Sequence, residues 1–403
     1  MERMDALMLP LNWQRVRLGD IAEIIGGGTP STQITSFWNG SINWFTPTEI
    51  GITKYVYRSQ RTITPLGLKN SSTKLLPIGT ILLTSRASIG DCAILKVVAT
   101  TNQGFQSLIP LEKINNEFLY YLILTLKNKL LKLASGSTFL EVSPNKIKNL
   151  LIPLPPLNEQ STIANILSGL DRYLCALDAL ILKKEGVKKA LSFELLSQRK
   201  RLKGFNQAWQ RVRLGDIAEI KRGASPRPIE NPKWFCANSN VGWVRISDIS
   251  KNSRFLYKTA QKLSKKGIEK SRLVKQNSLI MSMCATIGKP IITKIDTCIH
   301  DGFVVFENPK IDLNYLYYFL CYIEKEWLES GQQGSQVNLN VDLIKNKEVF
   351  YPKDLNEQIA IANILSDVDH EIISLKNKKR QFDNIKKALN HDLMSAKIRV
   401  LKK

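Results

Sequence analysis

The chain has 403 residues, 43% of them hydrophobic and 23% charged, and 58 Lys and Arg against 35 Asp and Glu give a formal net charge of +23. This composition is typical of a globular protein with hydrophobic cores and excludes a disordered chain. No stretch reaches the roughly 18 apolar residues of a membrane span, and the first residues lack the layout of a signal peptide, so the sequence predicts a cytoplasmic protein without membrane contact.

Cysteine and histidine give no indication of a metal site. The chain has six cysteines and three histidines, at irregular spacings and without a C-x-x-C pair. Such spacing favours free thiols over metal ligands or disulfides. The sequence therefore predicts that no metal is bound.

Residues 13–24 open the first of two repeats. They return unchanged as Trp209–Ile220, and an identity of this length is not chance. Leu-Asn-Glu-Gln at 157–160 also recurs at 355–358. Repetition along the whole chain predicts two copies of one unit of nearly 200 residues.

The region from Gly26 to about Leu151 reads as short β-strands separated by turn residues. Thr80–Thr84 and Ala93–Val98 are β-rich runs, and one helical pattern extends from Phe118 to Leu133. The pattern predicts a mixed α/β domain.

A long helix is expected after Pro155 and Pro156. Asn158 is its predicted N-cap, with Glu159 in the first turn, where a carboxylate meets the positive end of the helix dipole. Apolar side chains then recur at alternating steps of four and three, the heptad pattern of a helix that pairs along its length. Lys184 and Lys188 occupy two positions of this seam. Its apolar positions are Ile163, Leu167, Leu170, Leu174, Leu177, Ile181, Leu191 and Leu195.

The second unit repeats this order. Ser278–Met283 and Phe303–Phe306 read as strands, and a helical pattern extends from Tyr315 to Leu328. The second long helix carries the same seam, which includes Lys379 and Lys386. Its apolar positions are Ile361, Leu365, Val368, Ile372, Leu375, Phe382, Leu389 and Leu393.

Two aromatic features also recur. Trp44 matches Trp243, and Tyr120-Tyr121 matches Tyr317-Tyr318. Core packing is the better interpretation of these side chains.

Together these elements predict an α/β fold with two mixed α/β domains in tandem repeat, separated by two long antiparallel helices packed as a coiled coil. Because the C-terminal tail aligns with the linker after the first helix, the two ends of the chain should lie close together. The expected divisions are 1–156 for domain 1, 157–198 for the first helix, 199–352 for the linker and domain 2, and 353–403 for the second helix and tail.

The positive charge is spread evenly over both units. Residues 13–156 and residues 209–352 each carry eight more basic than acidic side chains. Such an excess predicts a polyanionic partner, attracted through its phosphates. The alternative is that the charge serves only solubility.

The motifs, in this order and twice, resemble the specificity subunit of type I restriction-modification enzymes. The resemblance covers essentially the whole chain. It rests on Leu-Gly-Asp-Ile at 214–217, on Leu-Pro-Pro-Leu-Asn-Glu-Gln at 154–160 opening a long helix, and on the basic linker at 199–205. In unit two, Tyr-Pro-Lys-Asp at 351–354 replaces the double proline.

This resemblance implies two target recognition domains, each reading one half of a split, asymmetric sequence in double-stranded DNA. It implies helices that set the spacer and, with the domains, hold two modification (methyltransferase) subunits, with or without two restriction (endonuclease/translocase) subunits. It implies that this chain binds no cofactor itself, while the assembled complex uses S-adenosylmethionine, and ATP and Mg for restriction.

No motif in the chain points to catalysis. Pro155-Pro156 fits a helix entry rather than the Asn/Asp-Pro-Pro-aromatic motif of adenine methyl transfer. Gly26–Thr29 lacks the Gly-Lys-Ser/Thr of a phosphate-binding loop and favours a turn. The sequence predicts a non-catalytic subunit. The alternatives are a non-sequence-specific basic coiled-coil interaction scaffold and an autonomous DNA enzyme.

Residues that contact DNA are expected among polar side chains on loops, because Arg and Lys suit guanine and phosphate while Asn and Gln suit adenine. For each of them, a solvated surface side chain is an equally good interpretation. Equivalent placement in the two units favours Ser88 with Thr286, Asn102 with His300, and Thr138 with Gln336. In unit one the candidates are Arg58, Arg61, Lys69, Lys74, Arg86, Ser88, Asn102, Gln103, Ser137 and Thr138. In unit two they are Arg222, Arg227, Lys251, Arg254, Lys265, Lys266, Arg272, Thr286, His300, Asp301, Gln336 and Asn338.

Overall fold

A computed structural model describes residues 9–136, 140–330 and 339–400 of the chain. The chain divides into two compact units. Unit 1 comprises Met1–Asp178 and Asn377–Lys403, and unit 2 comprises Ala179–Lys376. Each unit therefore contains one mixed α/β domain and a part of each of two long helices.

Within the described residues, the domain of unit 1 is built from short strands and three α-helices. Its strands are β1 (Gln14–Arg17), β2 (Ala22–Gly26), β3 (Trp38–Phe45), β4 (Tyr55–Val56), β5 (Arg61–Ile63), β6 (Ile81–Leu83), β7 (Cys92–Leu95), β8 (Ala99–Thr101), β9 (Gln106–Pro110) and β10 (Leu151–Leu154). Its α-helices are α1 (Pro65–Lys69), α2 (Asn116–Leu133) and α3 (Pro144–Lys148).

The main sheet of unit 1 is buried on both faces. Its strand order is β2-β9-β6-β7-β4, a second sheet has the order β5-β3-β8, and β1 pairs with β10. Since successive side chains of a strand point to opposite faces, Ile81 and Leu83 pack in the cluster of Phe118 from α2, whereas Leu82 packs in the cluster of Phe45. Burial on both faces explains why β6 reads as a continuous apolar run.

The domain of unit 2 follows the long helix α4 (Leu157–Leu196) and has the same plan. Its strands are β11 (Trp209–Arg213), β12 (Glu219–Arg222), β13 (Gly242–Val244), β14 (Phe255–Leu256), β15 (Gln261–Lys262), β16 (Arg272–Val274), β17 (Leu279–Ser282), β18 (Pro290–Thr293), β19 (Thr297–Ile299), β20 (Phe303–Glu307) and β21 (Glu348–Pro352). Its α-helices are α5 (Leu214–Ile217), α6 (Ile246–Ser250), α7 (Lys265–Glu269), α8 (Leu313–Tyr322), α9 (Glu324–Ser330) and α10 (Val341–Asn346).

The sheets of unit 2 repeat the topology of unit 1. Their orders are β12-β20-β17-β18-β14 and β15-β13-β19-β16, and β11 pairs with β21. Leu279 and Met281 of β17 face the cluster that contains α8, while Ile280 faces a second cluster. The prediction of two mixed α/β domains in tandem is therefore confirmed.

The helix α4 packs antiparallel on the second long helix, α11 (Leu355–Met394). In unit 1 the Tyr173 ring of α4 lies 4.7 Å from the Phe382 ring of α11, and Asp178 pairs with Lys379 at 2.6 Å. Residue numbers thus rise along one helix as they fall along the other. Every apolar position of the predicted seam is buried or half-buried. The prediction of two long antiparallel helices that pack on each other is therefore confirmed.

Lysines within the seam reach acidic side chains on the opposite helix. In unit 2, Lys184 pairs with Glu371 at 2.5 Å and Lys188 with Asp369 at 2.6 Å. In unit 1, Lys386 pairs with Asp171. Polar seam positions with defined partners favour one register over others.

Observed and predicted elements differ mainly at their ends. The helical pattern from Tyr315 to Leu328 is divided between α8 and α9, and the run Ala93–Val98 is observed as β7, which ends at Leu95. The N-cap prediction for Asn158 is wrong, because α4 already begins at Leu157. In the second long helix Asp354 precedes the first residue, and its carboxylate accepts the Asn356 N–H at 2.8 Å.

The repeated Leu-Asn-Glu-Gln segment has a structural explanation. Gln160 is buried, donates to the Pro155 carbonyl at 2.8 Å and accepts the Asn115 N–H at 2.8 Å. Gln358 makes the equivalent bonds to Pro352 and Asp312. Each glutamine therefore ties the start of a long helix to the N-terminus of α2 or α8.

The described ends of the chain are close together, as predicted. The Arg399 guanidinium donates to the Asn12 side chain at 2.9 Å. Among the described residues, no helix combines the length and apolar character needed to cross a bilayer.

Candidate nucleic-acid interface

Four segments of unit 1 meet beside the ends of its sheet strands, and backbone hydrogen bonds join them. The Gly28 N–H donates to Thr101 at 2.9 Å, the Ser85 N–H to Gly104 at 2.8 Å, and the Val142 N–H to Ser85 at 3.1 Å. We call this surface the loop edge of unit 1. It comprises residues 26–29, 84–90, 102–104 and 140–142.

Unit 2 builds the same arrangement. The Ala224 N–H donates to Ile299 at 3.0 Å, the Met283 N–H to Gly302 at 2.8 Å, and the Leu339 N–H to Met283 at 3.0 Å. The loop edge of unit 2 comprises residues 222–227, 282–288, 300–302 and 339.

The backbone of the loop edge is tightly constrained in both units. A Cβ on Gly27 would lie 2.0 Å from the Asn102 carbonyl oxygen, and one on Gly223 would lie 2.0 Å from that of His300. Ala87 and its counterpart Ala285 have φ of 56° and 60°, a left-handed conformation that costs an alanine about 1 kcal/mol or more. Such strain is concentrated at functional sites.

Ser88 and Thr286 occupy equivalent places in this strained loop. Their carbonyl oxygens accept hydrogen bonds from the hydroxyls of Thr84 and Ser282, respectively. The pairing suggested by the repeat thus corresponds to equivalent positions on the two loop edges.

Asn102 and His300 also have equivalent surroundings despite their different chemistry. The Asn102 Oδ1 accepts the N–H of Gly104 at 2.9 Å, and the His300 Nδ1 accepts the N–H of Gly302 at 2.9 Å. Both side chains therefore use an acceptor within their own turn and retain an N–H donor. Burial lowers the pKa of His300, Arg245 adds to that effect, and Asp301 opposes it.

The other side chains of the two loop edges differ more. In unit 1, Thr29 donates to Gln103, and the Arg86 guanidinium pairs with Glu141 at 2.8 Å. In unit 2 the counterparts of Gly26 and Arg86 are Arg222 and Cys284. The two units thus place an arginine on the loop edge from different loops.

Asp301 lies at the centre of the charged groups of the unit 2 loop edge. Its carboxylate accepts from the Ser225 hydroxyl at 2.9 Å and from Arg227 at 3.3 Å, while its carbonyl accepts from the Arg222 Nε at 2.7 Å. Burial alone would raise the pKa of Asp301, but these hydrogen bonds and nearby positive charges outweigh burial and lower it. Asp301 is therefore an ionised acceptor at neutral pH.

Further basic candidates flank the loop edges. Thr73 donates to the Thr101 carbonyl at 2.8 Å, which puts Lys74 beside the loop edge of unit 1, and the Arg272 Nε donates to the Arg222 carbonyl in unit 2. Exposed lysines lie on the equivalent short helices α1 and α7. They are Lys69, Lys265 and Lys266.

The remaining candidates lie elsewhere. Arg58 and Lys251 are exposed. The Arg61 guanidinium stacks 3.7 Å from the centre of the Trp38 ring, so part of its surface is used within the domain. Four candidates lie outside the described residues: Ser137, Thr138, Gln336 and Asn338. Among the described residues, no cluster of three or more His, Cys, Asp or Glu side chains is arranged to hold a metal ion.

Arg254 requires a correction. Only 8% of its surface is exposed, and its guanidinium donates to Asn314 at 2.6 Å, Tyr318 at 3.1 Å and Ser366 at 2.6 Å. A basic side chain buried among these partners is not available to DNA. Arg254 instead connects the domain of unit 2 to α11.

Lys54 does the same in unit 1. It is paired with Glu117 and donates to Tyr121 at 2.8 Å and to Ser168 at 2.7 Å. Burial lowers the pKa of Lys54, while Glu117 opposes that effect. Lys54 was not among the sequence candidates. The only sequence signal for Lys54 was that a basic residue directly precedes a short strand in both units, Lys54 before β4 and Arg254 before β14.

The connection extends to the second long helix in each unit. The Tyr121 hydroxyl donates to Asp171 of α4, which pairs with Lys386 of α11. Burial and the neighbouring carboxylate both raise the pKa of Tyr121, so its hydroxyl stays protonated. We call this network the joint. Its members are Lys54, Glu117, Tyr121, Ser168, Asp171 and Lys386 in unit 1, and Arg254, Asn314, Tyr318, Ser366, Asp369 and Lys188 in unit 2.

Comparison with known proteins gives consistent matches along the whole chain. The family described as type I restriction modification DNA specificity domain matches residues 10–184 and 206–382, and each matched segment contains one loop edge. The type I restriction enzyme MjaIX specificity subunit of Methanocaldococcus jannaschii is 29% identical over 418 residues, which cover 97% of this chain and 95% of that protein.

Two solved structures share the fold. The S subunit of a type I restriction-modification system from M. genitalium gives a TM-score of 0.60 at 18% identity, over 96% of this chain and 97% of that one. A chain from a study of complex assembly and conformational transition of the type I R-M system gives 0.64 at 18% identity, over 96% and 98%.

Proposed function

This chain belongs to the family of type I restriction-modification DNA specificity proteins, and we propose that each of its two domains reads one half of an asymmetric bipartite DNA target. The observation that carries the proposal is the loop edge. Its backbone is the same in both units, whereas its side chains differ at positions such as Gly26 and Arg222. A shared frame with unlike polar groups suits two unlike half-sites, because sequence is read by donors and acceptors that meet base edges.

We further propose that α4 and α11 fix the spacer between the half-sites and, with the domains, dock two modification (methyltransferase) subunits. A paired helix is stiff, and the seam ion pairs favour one register. Two units of the same plan offer two equivalent surfaces, which suits two copies of a partner. One solved relative comes from a study of complex assembly, which supports a multisubunit role.

In this proposal the chain carries out no chemistry itself. Methyl transfer to adenine belongs to the modification subunits with S-adenosylmethionine, and restriction, where two restriction subunits join, uses ATP and Mg. The net charge of +23 supplies the attraction to the DNA backbone that any half-site reader needs. A protein that acts on cellular DNA in this way would work in the cytoplasm.

The test is methylome sequencing of cells that express the chain with its modification subunit, compared with cells that lack only this chain. We expect a new split motif with N6-methyladenine in both strands. Unchanged methylation, with both proteins present and folded, would overturn the proposal.

Binding by the purified complex separates the proposal from the alternative of a basic interaction scaffold. A sequence reader binds its target roughly 10³-fold or more tightly than random DNA at physiological salt. A scaffold that contacts only phosphates binds target and random DNA with the same affinity and the same salt dependence. Equal affinity for the two duplexes would favour the scaffold.

A further inference from the structure

An open pocket with a defined set of donors and acceptors lies on the loop edge of unit 2. Its volume is about 320 Å³, and the lining includes Arg222, Cys284, His300 and Asp301. No bulky side chain fills it among the described residues, and Gly302 forms part of its wall.

Two hydrogen bonds hold Arg222 in place and leave the planar end of its guanidinium available for recognition. Its Nε donates to the Asp301 carbonyl, and its own carbonyl accepts from Arg272. Within the described residues, the two Nη atoms of Arg222 make no hydrogen bond or ion pair. An arginine fixed through Nε presents its Nη fork in a set direction, which reduces the entropy lost on forming two bonds.

Asp301 supplies the complementary chemistry beside this fork. Its ionised carboxylate is a pure acceptor, oriented by Ser225 and Arg227. In the major groove, guanine offers two acceptors, N7 and O6, which match an arginine fork, and cytosine offers an N4 donor, which matches a carboxylate. An adenine–thymine pair presents an acceptor, a donor and an acceptor in that order, so it lacks the two adjacent acceptors that match the fork.

Resting on the proposed function, we propose that Arg222 and Asp301 are the specificity-determining residues for a guanine–cytosine pair in the half-site of unit 2. Arg222 binds the guanine edge and Asp301 accepts from the cytosine amino group. The loop edge of unit 1 lacks this pair, because Gly26 and Gln103 stand at the two positions.

Unit 1 provides the contrasting case. Its Arg86 is paired with Glu141, and the same loop edge carries the amides of Asn102 and Gln103. Amides are matched to adenine, which offers one donor and one acceptor. The guanine–cytosine assignment is therefore confined to one half of the target.

The experiment determines the methylated motif for the wild type and for Arg222→Ala, each expressed with the modification subunit. We expect the wild-type motif to contain a guanine–cytosine pair that becomes degenerate in Arg222→Ala, with discrimination at that pair falling roughly tenfold or more. Asp301→Asn should weaken discrimination at the same pair, and Arg222→Lys should restore it only in part, since lysine lacks the fixed planar fork of arginine. Asn102→Ala should broaden only the other half-site.

The matched control is Lys275→Ala. Lys275 is exposed and lies before β17, at the end of that strand that is away from the loop edge. We expect this variant to keep the wild-type motif. Methylation reduced equally at all sites in Arg222→Ala, without a degenerate position, would show a phosphate contact and overturn the assignment. A wild type without any split motif would instead overturn the proposed function, so the two failures are distinguishable.

Discussion

The joint and the loop edge both occur in each unit, but the joint conserves its side-chain contacts between the units, whereas the loop edge conserves its backbone. In the joint the side chains recur: Tyr121 and Tyr318 each donate to an aspartate of a long helix, and that aspartate pairs with a lysine of the other. In the loop edge the backbone recurs, while the arginine moves from Arg86 in one unit to Arg222 in the other.

This contrast separates support from recognition. Polar groups that are buried or half-buried in the joint must be satisfied in both units, so a change to one member leaves a costly unpaired partner. In the proposed function, exposed groups on the loop edge exchange water for DNA, and they can differ as long as the frame beneath them is kept. Variants in the joint should therefore change stability, and variants in the loop edge should change selectivity.

The largest effect on stability is expected for Glu117→Ala. The change leaves Lys54, whose side chain is 10% exposed, without its ionic partner, and it also removes the acceptor of the Tyr55 hydroxyl. Breaking such a buried pair costs about 3 kcal/mol. Hydrogen exchange of α2 measured by mass spectrometry should show faster opening in unit 1 and unchanged exchange in α8.

Unit 2 supplies the matched control for that prediction. Arg254 and Asn314 stand there in place of Lys54 and Glu117. The double variant Lys54→Arg with Glu117→Asn should recover much of the lost protection, because the arginine gains a hydrogen-bonded amide. If Glu117→Ala alone left the exchange of α2 unchanged, the joint would not support the domain.

A smaller loss is expected for Gly223→Ala in the frame of the loop edge. The new Cβ would stand 2.0 Å from the His300 carbonyl, and the loop must shift to admit it, at about 2 kcal/mol. Specific binding to DNA should fall more than non-specific binding, which a titration with target and random duplexes measures.

Gly186→Ala is the control for a glycine in open space, since nothing lies within 4 Å of its added Cβ. That change should stabilise α4 by up to about 1 kcal/mol. Equal effects of the two substitutions would refute the steric argument.

His300 gives a pH-dependent test of its turn in unit 2, which is equivalent to the Asn102 turn of unit 1. Because burial holds the pKa of His300 below its usual value of 6.5, the folded turn binds the proton less readily than the open turn. The turn is therefore fully stable above pH 6.5, and its stability falls as the pH drops below that value and the Nδ1 acceptor is protonated.

We expect exchange of the peptide around residues 299–303 to accelerate on acidification, measured relative to His300→Asn. The asparagine variant keeps an acceptor as in unit 1 and does not titrate, so it corrects for the intrinsic pH dependence of exchange. Parallel curves for the two proteins would mean that the Nδ1 bond does not hold the turn.

The sequence predicted the two long helices, since a repeat over some five heptads requires only local periodicity. It could not predict the joint, because Lys54, Tyr121 and Ser168 are far apart in sequence and each has an ordinary alternative interpretation. Arg254 was misassigned for the same reason: residue type alone does not show whether a guanidinium is buried. The repeat did pair Asn102 with His300, because aligning the two units matches equivalent positions even where the residue types differ.

The smallest effect is expected on the surface of the seam. Lys379 and Asp178 form an ion pair whose side chains are 33% and 55% exposed, and such exposed pairs contribute about 0.5 kcal/mol or less. Lys386 and Asp171 are less exposed, at 24% and 25%, and Asp171 also accepts from Tyr121. Lys386→Ala should therefore destabilise unit 1 clearly more than Lys379→Ala in urea unfolding, and only the effect of Lys379→Ala should vanish at high salt. Equal losses would mean that the joint adds nothing to an ordinary seam ion pair, and the distinction between a buried support and an exposed helix surface would fail.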